Sequence, residues 1–463
     1  MEHVTIDIGA SSGKILSGKL VDGRLECQVV YRFPNGYAEK DGHLVWDVDG
    51  LFHQTLLGLQ EARRQGINPS TIAIDTWGCD YVLLDEQGMR VGDAIAYRDH
   101  RTEHVGCPIP WPELYRRCGI QHLSFNTIYQ LLALKAEHPE QLDQAFHLLM
   151  IPDYLAWRLT EVMHQEYTNA TTTSLVDAQA RNWDMGIIAR LGLPGRLFKP
   201  LVQPGTVYGP LSKAVEKVTG MQSTVIAAPS HDTASAVLGS PLRPGSAFLS
   251  SGTWSLLGTV ADRPYLGGDA MRENFTNEGG YRGTIRLLRN LMGTWMLQRI
   301  RKEWDDTLSF PDLADAARTS GGFPSVVDIE DERFLAPESM VGQVRSACKE
   351  SGQPVPESLG ELARCIYHSL AVGYRKAIGR LARITGKDFT HLAIVGGGSK
   401  DQYLCQLTAD ETGLEVTAGP DEGTAYGNLL CQMIECGEIR DMAEAGNILR
   451  NSIDTKTYRR NQK

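Results

Sequence analysis

The chain has 463 residues and a formal net charge of −10, from 46 basic and 56 acidic side chains. That balance argues against nucleic acid or an anionic membrane as a partner, since either would need a basic face. At 42% hydrophobic and 22% charged, the composition is that of a soluble globular protein, and at this length large α/β lobes favour two domains over three.

The start, Met1-Glu2-His3-Val4-Thr5-Ile6-Asp7, has no basic flank or apolar core and is not read as a signal peptide. No apolar run approaches the roughly 18 residues of a membrane span. Nine cysteines without a Cys-x-x-Cys, the closest pair being Cys431 and Cys436, fit reduced thiols in a cytoplasmic protein. The twelve histidines show no metal-ligand spacing.

In chain order, strands are predicted over 4–8, 14–20 and 25–33, with turns at 9–13 and at Asp22-Gly23. An amphipathic helix follows over 49–64, then short strands over 71–75 and 81–84 and a turn at Asp85-Glu86-Gln87-Gly88. The α/β alternation continues to a buried strand over 224–228 and a helix over 233–238. Ser240-Pro241-Leu242-Arg243-Pro244-Gly245 is placed at a domain boundary, dividing the chain into 1–240 and 241–463. The pattern then restarts. A strand over 246–250, a Ser251-Gly252-Thr253 turn and a strand over 254–260 echo residues 4–20, as two related lobes would. Residues 305–338 read as a loop-rich peripheral insertion. A long helix is predicted between Pro356 and Gly386, its apolar residues recurring in steps of three and four. The strand 392–395 ends in Gly396-Gly397-Gly398, and a helix follows over 402–412.

Six segments carry chemistry. Asp7-Ile8-Gly9-Ala10-Ser11-Ser12-Gly13-Lys14 superficially resembles a P-loop, but three residues separate its glycines instead of four, and Ile15 follows the lysine. A strand–turn–strand hairpin fits better. Its glycines permit positive φ and close phosphate approach, and its N–H groups can form an anion nest; it can equally be a plain turn. Asp7 at the strand end can orient waters on Mg²⁺. Ser250-Ser251-Gly252-Thr253 offers a second such turn, with the same two readings. Three successive glycines at 396–398 are entropically costly and point to something flat or charged touching the backbone. Asp232, in Pro229-Ser230-His231-Asp232-Thr233, opens a helix, either as an ordinary N-cap or as a carboxylate base. Trp77 beside Gly78 can stack on a sugar, and Arg98, Asp99 and Arg101 either bond hydroxyls or brace their loop. Two phosphate loops, an adenosine loop and one base are the inventory of a small-molecule kinase.

The array resembles the FGGY carbohydrate kinases of the actin/hexokinase-like superfamily. The resemblance rests on Asp7 to Gly13, Val45-Trp46-Asp47-Val48-Asp49, Ile74-Asp75-Thr76-Trp77-Gly78 and Ala96-Tyr97-Arg98-Asp99. It continues in Glu166-Tyr167-Thr168-Asn169-Ala170-Thr171-Thr172-Thr173, Ser230 to Val237, Leu249 to Leu256, Asn277-Glu278-Gly279-Gly280, Arg289-Asn290-Leu291-Met292-Gly293 and Val395 to Gly398. The His-Asp-Thr and Tyr-Thr-Asn-Ala-Thr-Thr-Thr stretches are similar to the rhamnulose branch of that family. The resemblance implies two ribonuclease H-like lobes around a catalytic cleft, the first mainly for sugar and the second mainly for ATP with Mg²⁺. It implies Asp232 as proton acceptor, and Gly78, His231, Asp232, Thr233 and Asn290 as ketose contacts. Ala10, Ser11, Ser12, Gly13, Thr253, Gln298 and Gly397 match the ATP site, with Lys14 and Gly398 beside them. Lys14 stands where the family commonly has Arg, a point charge in place of a planar fork. The expected partners are a ketose and ATP alone, in a monomer or weak homo-oligomer. A sibling kinase for L-fuculose or a ketopentulose, a silent sugar sensor and an unrelated ATPase are the alternatives.

Overall fold

A computed structural model describes residues 1–461. The chain forms two compact units. The first comprises Met1–Gly239, Val260–Leu287 and Thr424–Ser452; the second comprises Ser240–Thr259, Leu288–Gly423 and the chain from Ile453. The first crossing thus falls at Gly239/Ser240, and two later segments return to the first unit.

In the first unit, β1 (Glu2–Ile8), β2 (Ser12–Val21) and β3 (Arg24–Pro34) run as an antiparallel meander. Helix α1 (Val48–Arg64) starts at Asp47, whose side chain accepts from Gly50 N at 2.8 Å, and it buries Leu51, Phe52, Thr55, Leu59 and Ala62 along one stripe. β4 (Thr71–Thr76) then pairs parallel with β1. β5 (Val207–Pro210) is antiparallel to β6 (Thr224–Ile226), which pairs parallel with β4. The sheet order is β5-β6-β4-β1-β2-β3. Val4, Ile6, Ile8, Ile72 and Ile74 have at most 3% exposure, as expected of central strands covered on both faces. Helix α2 (Asp232–Leu238) leaves the end of this sheet.

In the second unit, β7 (Ser246–Ser251) is antiparallel to β8 (Trp254–Ala261), and the strand β9 (Ile285–Met292) enters from the first unit at Leu288. Helix α3 (Leu359–Thr385) begins at a capping box between Ser358 and Glu361 and ends at Gly386, which is left-handed at φ +66°. Its buried stripe is Leu362, Ile366, Leu370, Tyr374, Ala377 and Leu381. β10 (His391–Val395) pairs parallel with β7; α4 (Gln402–Thr412) follows, and β11 (Glu415–Ala418) pairs parallel with β10. Helix α5 (Gly423–Glu435) runs back into the first unit, and β12 (Lys456–Tyr458) closes the second sheet antiparallel to β11.

The duplication expected from the sequence is present in the topology. Read across each sheet, β2-β1-β4-β6-β5 and β8-β7-β10-β11-β12 share one pattern: antiparallel, parallel, parallel, antiparallel. The 305–338 segment is more than a peripheral insertion. It contains a capped helix, Phe310–Thr319, packed so closely on α3 that a Cβ at Gly360 would come within 2.6 Å of Ala316 O. Glu330 also pairs with Arg380 at 2.8 Å and with Arg289 at 2.7 Å. Among the described residues no disulfide joins the cysteines, and no helix is long and apolar enough to cross a membrane.

Candidate active site

Three carboxylates gather where neighbouring strands of the first sheet end. Asp7 on β1 and Asp75 on β4 are partners in the parallel register, and Thr76 bridges to His231, the residue before Asp232. Ligands of open α/β sheets bind at such carboxyl ends. Asp232 is the first residue of α2; the cap position falls on His231, which makes no side-chain cap bond. The expected N-cap role of Asp232 is therefore corrected. Its carboxyl accepts from the backbone N–H of Thr233, the next residue of the helix, and its side chain keeps 28% exposure. Burial, then the charge of Asp7, pushes its pKa up to about 7. Asp75 is fully buried, and burial with the Asp7 charge raises its pKa well above the carboxylate range. Its Oδ2 accepts from Asn428 Nδ2 at 2.5 Å, while Oδ1 is buried without a hydrogen-bond partner.

Asp7 is ion-paired with Lys14 at 3.3 Å, across the register of the β1–β2 hairpin. The P-loop likeness thus ends in a hairpin, as its spacing predicted. Ser11 and Ser12 are exposed at the tip, and Ala10 is half-buried. Neither Gly9 nor Gly13 adopts the expected positive φ, and Gly13 has another reason to be glycine. A Cβ at Gly13 would overlap the Phe33 ring.

The second wall is built by residues 166–173. Glu166, fully buried, accepts from Ser230 N (3.2 Å), Ser230 Oγ (2.5 Å), Thr168 N (2.8 Å), Thr168 Oγ1 (2.6 Å) and Asn169 N (3.1 Å). Asn169 Nδ2 donates to Trp77 O at 3.1 Å, and Thr172 Oγ1 accepts from Cys79 N at 2.9 Å. One buried acidic side chain therefore ties the turn carrying His231 and Asp232 to the segment bracing Gly78. Cys79 is left-handed at φ +73°, a strained conformation for a non-glycine, and it is pinned by that bond and by Thr127 Oγ1, which donates to its carbonyl at 2.6 Å. A Cβ at Gly78 would come within 2.8 Å of Thr172 Cγ2.

Trp77 does not present a stacking face. It is 6% exposed, packs on Trp46 with ring centroids 4.3 Å apart, and donates Nε1 to Asp80 at 2.9 Å. Its apolar area is worth more in the core. Arg98 is exposed and donates to Tyr97 Oη at 3.1 Å. Asp99 is buried, accepting from Leu44 N (2.8 Å) and Arg101 N (2.9 Å), so it braces its loop.

Three features carried less signal in the sequence. Arg286, on the strand β9, is 1% exposed and meets His231, Thr233 and Glu278. Asn428 and Gln432, four apart on α5, are fully buried, and Gln432 Nε2 donates to Asn428 Oδ1 at 2.8 Å. α5 reaches this position because Gly427 lets it sit on α2; a Cβ there would overlap Ser235 O.

In the second unit, the ends of β7 and β10 are paired in register at Ser250 and Val395. Gly396 is left-handed at φ +81°, with its Cβ position 2.9 Å from Ser251 O, and a Cβ at Gly398 would overlap Ser251 Oγ. Gly397 alone faces open space and is exposed. Thr294 N donates to Gly252 O at 2.9 Å, and Gln298 Nε2 to Thr253 Oγ1 at 3.4 Å. The structure thus brings Thr253, Gln298 and the glycine turn to one end of this sheet. Asn290 is half-buried on β9. The predicted nucleotide residues belong to both units: Ala10 to Lys14 to the first, Thr253, Gln298, Gly397 and Gly398 to the second.

Residues 3–239 match the N-terminal domain, and residues 247–436 the C-terminal domain, of the FGGY family of carbohydrate kinases. The chain is similar to the rhamnulokinase of Oceanobacillus iheyensis (42% identity over 460 residues, 98% of each chain) and to that of Bacillus subtilis (41% over 464 residues, 99% of this chain and 95% of the relative). Among solved structures it shares its fold with gluconate kinase from Lactobacillus acidophilus (TM-score 0.80, 17% identity, covering 100% of this chain and 94% of that one). It also shares it with Plasmodium falciparum glycerol kinase with ADP (TM-score 0.80, 16% identity, covering 99% and 94%). With both domains matched in order and relatives above 40% identity along nearly its whole length, the chain belongs to the FGGY family of carbohydrate kinases.

Proposed function

We propose that this chain is an ATP-dependent kinase of L-rhamnulose, transferring the γ-phosphoryl group to the 1-hydroxyl to give L-rhamnulose 1-phosphate and ADP. The observation that carries the reading is Asp232. It is an accessible carboxyl raised to about 7 at the sheet end, beside His231 and Thr233, in a chain similar throughout to rhamnulokinases. A general base works best when its pKa lies near the working pH.

Asp232 takes the proton of the sugar's primary hydroxyl as that oxygen attacks phosphorus in line. The base is worth about 10²–10⁴-fold, and alignment of the two substrates about 7–11 kcal/mol. Gly78, His231, Thr233 and Asn290 contact the sugar. Arg98 is exposed enough to join them, whereas Trp77 supports Gly78 from the core. Ala10, Ser11, Ser12, Gly13 and Lys14 supply N–H groups and one cation to the phosphates; Thr253, Gln298, Gly397 and Gly398 receive the nucleotide.

The donor set fits Mg²⁺ carried in by ATP. Asp7 adds negative charge at the sheet end, where the orphaned Asp75 Oδ1 leaves an acceptor unspent, and oxygen donors meeting the ion through water suit it. Mg²⁺ would neutralise charge on the phosphates; Asp7 would meet it through water, and Lys14 keeps Asp7 paired until then. An ATP-consuming step of this kind belongs in the cytoplasm.

A coupled ADP assay over a panel of ketoses tests the reading. L-rhamnulose should give the highest kcat/KM. L-fuculose or a ketopentulose outranking it would move the chain to a sibling activity.

A further inference from the structure

Arg286 is among the largest fully buried side chains. A guanidinium in the interior must have its N–H groups placed. Nε donates to Gly279 O at 2.8 Å and Nη1 to Thr233 Oγ1 at 2.7 Å. Nη2 lies 3.0 Å from Glu278 Oε2 and 3.1 Å from His231 Nδ1. A guanidinium has donors only. The imidazole nitrogen facing it must therefore accept, and a neutral imidazole that accepts at Nδ1 carries its proton on Nε2. Glu278 Oε2 stands farther from Nδ1, at 3.4 Å. Thr233 Oγ1, at 3.3 and 3.2 Å from the two ring nitrogens, does not discriminate between them. On the other side of the ring, Nε2 faces Asp232 Oδ1 at 3.6 Å.

We propose that Arg286 is a positioning residue for the sugar: it holds His231 as the neutral Nε2–H tautomer, so that a donor from His231 stands beside the acceptor of Asp232. Such a pair suits two neighbouring sugar oxygens, one giving its proton to Asp232 and the other accepting from His231. Naming the sugar rests on the kinase reading; the tautomer does not. Burial and the Arg286 charge both push the His231 pKa well below the usual histidine range. The carboxyls facing the ring, Asp232 and Glu278, are themselves raised by burial and so draw a proton to the ring less strongly. A site that offers a fixed donor rejects an analogue lacking the matching acceptor, because the buried N–H would be left unpaired.

The test is long-range ¹H–¹⁵N NMR of the full chain labelled at histidine nitrogen, with His231→Gln used only to assign the signal. Between about pH 6 and about pH 8 the wild-type ring should show a bare Nδ1 and a protonated Nε2. Arg286→Gln should release the ring into mixed tautomers or protonation, and raise KM for the ketose about tenfold while KM for ATP stays within about twofold. Arg286→Lys, a point charge that cannot bond Gly279, Thr233 and His231 together, should recover only part of this. A wild-type ring protonated at Nδ1 would overturn the inference, as would a folded Arg286→Gln protein with unchanged tautomer and ketose KM. If Arg286→Gln does not fold, the wild-type spectrum decides alone. Failure of the kinase reading looks different: no ketose-dependent ADP, with the His231 tautomer as stated.

Discussion

Replacing Asp232 by Asn should abolish turnover and also stabilise the fold. Asn matches the shape of Asp, and α2 has its cap at His231, so the helix keeps its start. What disappears is the base, costing at least about 10²-fold in kcat. What also disappears is a charge the folded protein resists. The sign follows from linkage. Asp232 titrates near 7 when folded and near 4 when unfolded, so the folded state binds more protons between those values. Stability contributed at this site is therefore present below about pH 4 and is lost as pH rises to about 7. Three pKa units correspond to at most about 4 kcal/mol, and less here because 28% of the side chain still meets water. Asp232→Asn should thus melt higher than wild type at pH 8 and nearly equal to it at pH 4. In the wild type, kcat/KM for the sugar should climb with pH through about 7, as the base ionises. Scanning calorimetry at both pH values and a coupled ADP assay from pH 5.5 to 8.5 read both effects. A mutant retaining a tenth of wild-type kcat, or a flat wild-type pH profile, would refute the assignment.

Gly397→Val should raise KM for ATP without unfolding the second unit, because a Cβ there meets nothing within 4 Å; unchanged ATP affinity by calorimetry would make the turn merely structural. Gly398→Ala, whose Cβ would overlap Ser251 Oγ, should instead lower the urea midpoint as well. Glu166→Ala strands donors from Ser230, Thr168 and Asn169 in the interior and should cost about 3 kcal/mol or more in urea titration; an unchanged midpoint would deny its bracing role. Without ketose, ADP production should be slow, since Asp232 then has no sugar hydroxyl to deprotonate, and L-rhamnulose should stimulate it strongly; equal rates with and without sugar would indicate a plain ATPase.

The local elements and the inventory of reactive groups were legible in the chain itself. Short apolar runs broken by Gly/Ser/Thr turns placed β1 and β2 and their echo in β7 and β8, because such a run and its turn depend on near neighbours alone. Ser358, Glu361 and Gly386 bracket α3 by the same local logic, two residues inside the Pro356 boundary expected from proline. Asp232 stood out because a carboxylate at a strand-to-helix turn is a local event. Tertiary structure decided what each group does. Trp77 and Gly78 are adjacent in sequence and read alike, yet one belongs to the core and the other to the wall held by Thr172. Gly13 and Gly397 look equivalent as loop glycines, but Phe33 explains the first, while the second faces open space. Asn428 meets Asp75 across more than 350 positions, and Arg286 meets His231 across 55. No periodicity encodes such pairs. They exist because burying a polar group requires a partner, and which partner arrives is settled only when α5 seats on α2 through Gly427 and β9 carries Arg286 to His231.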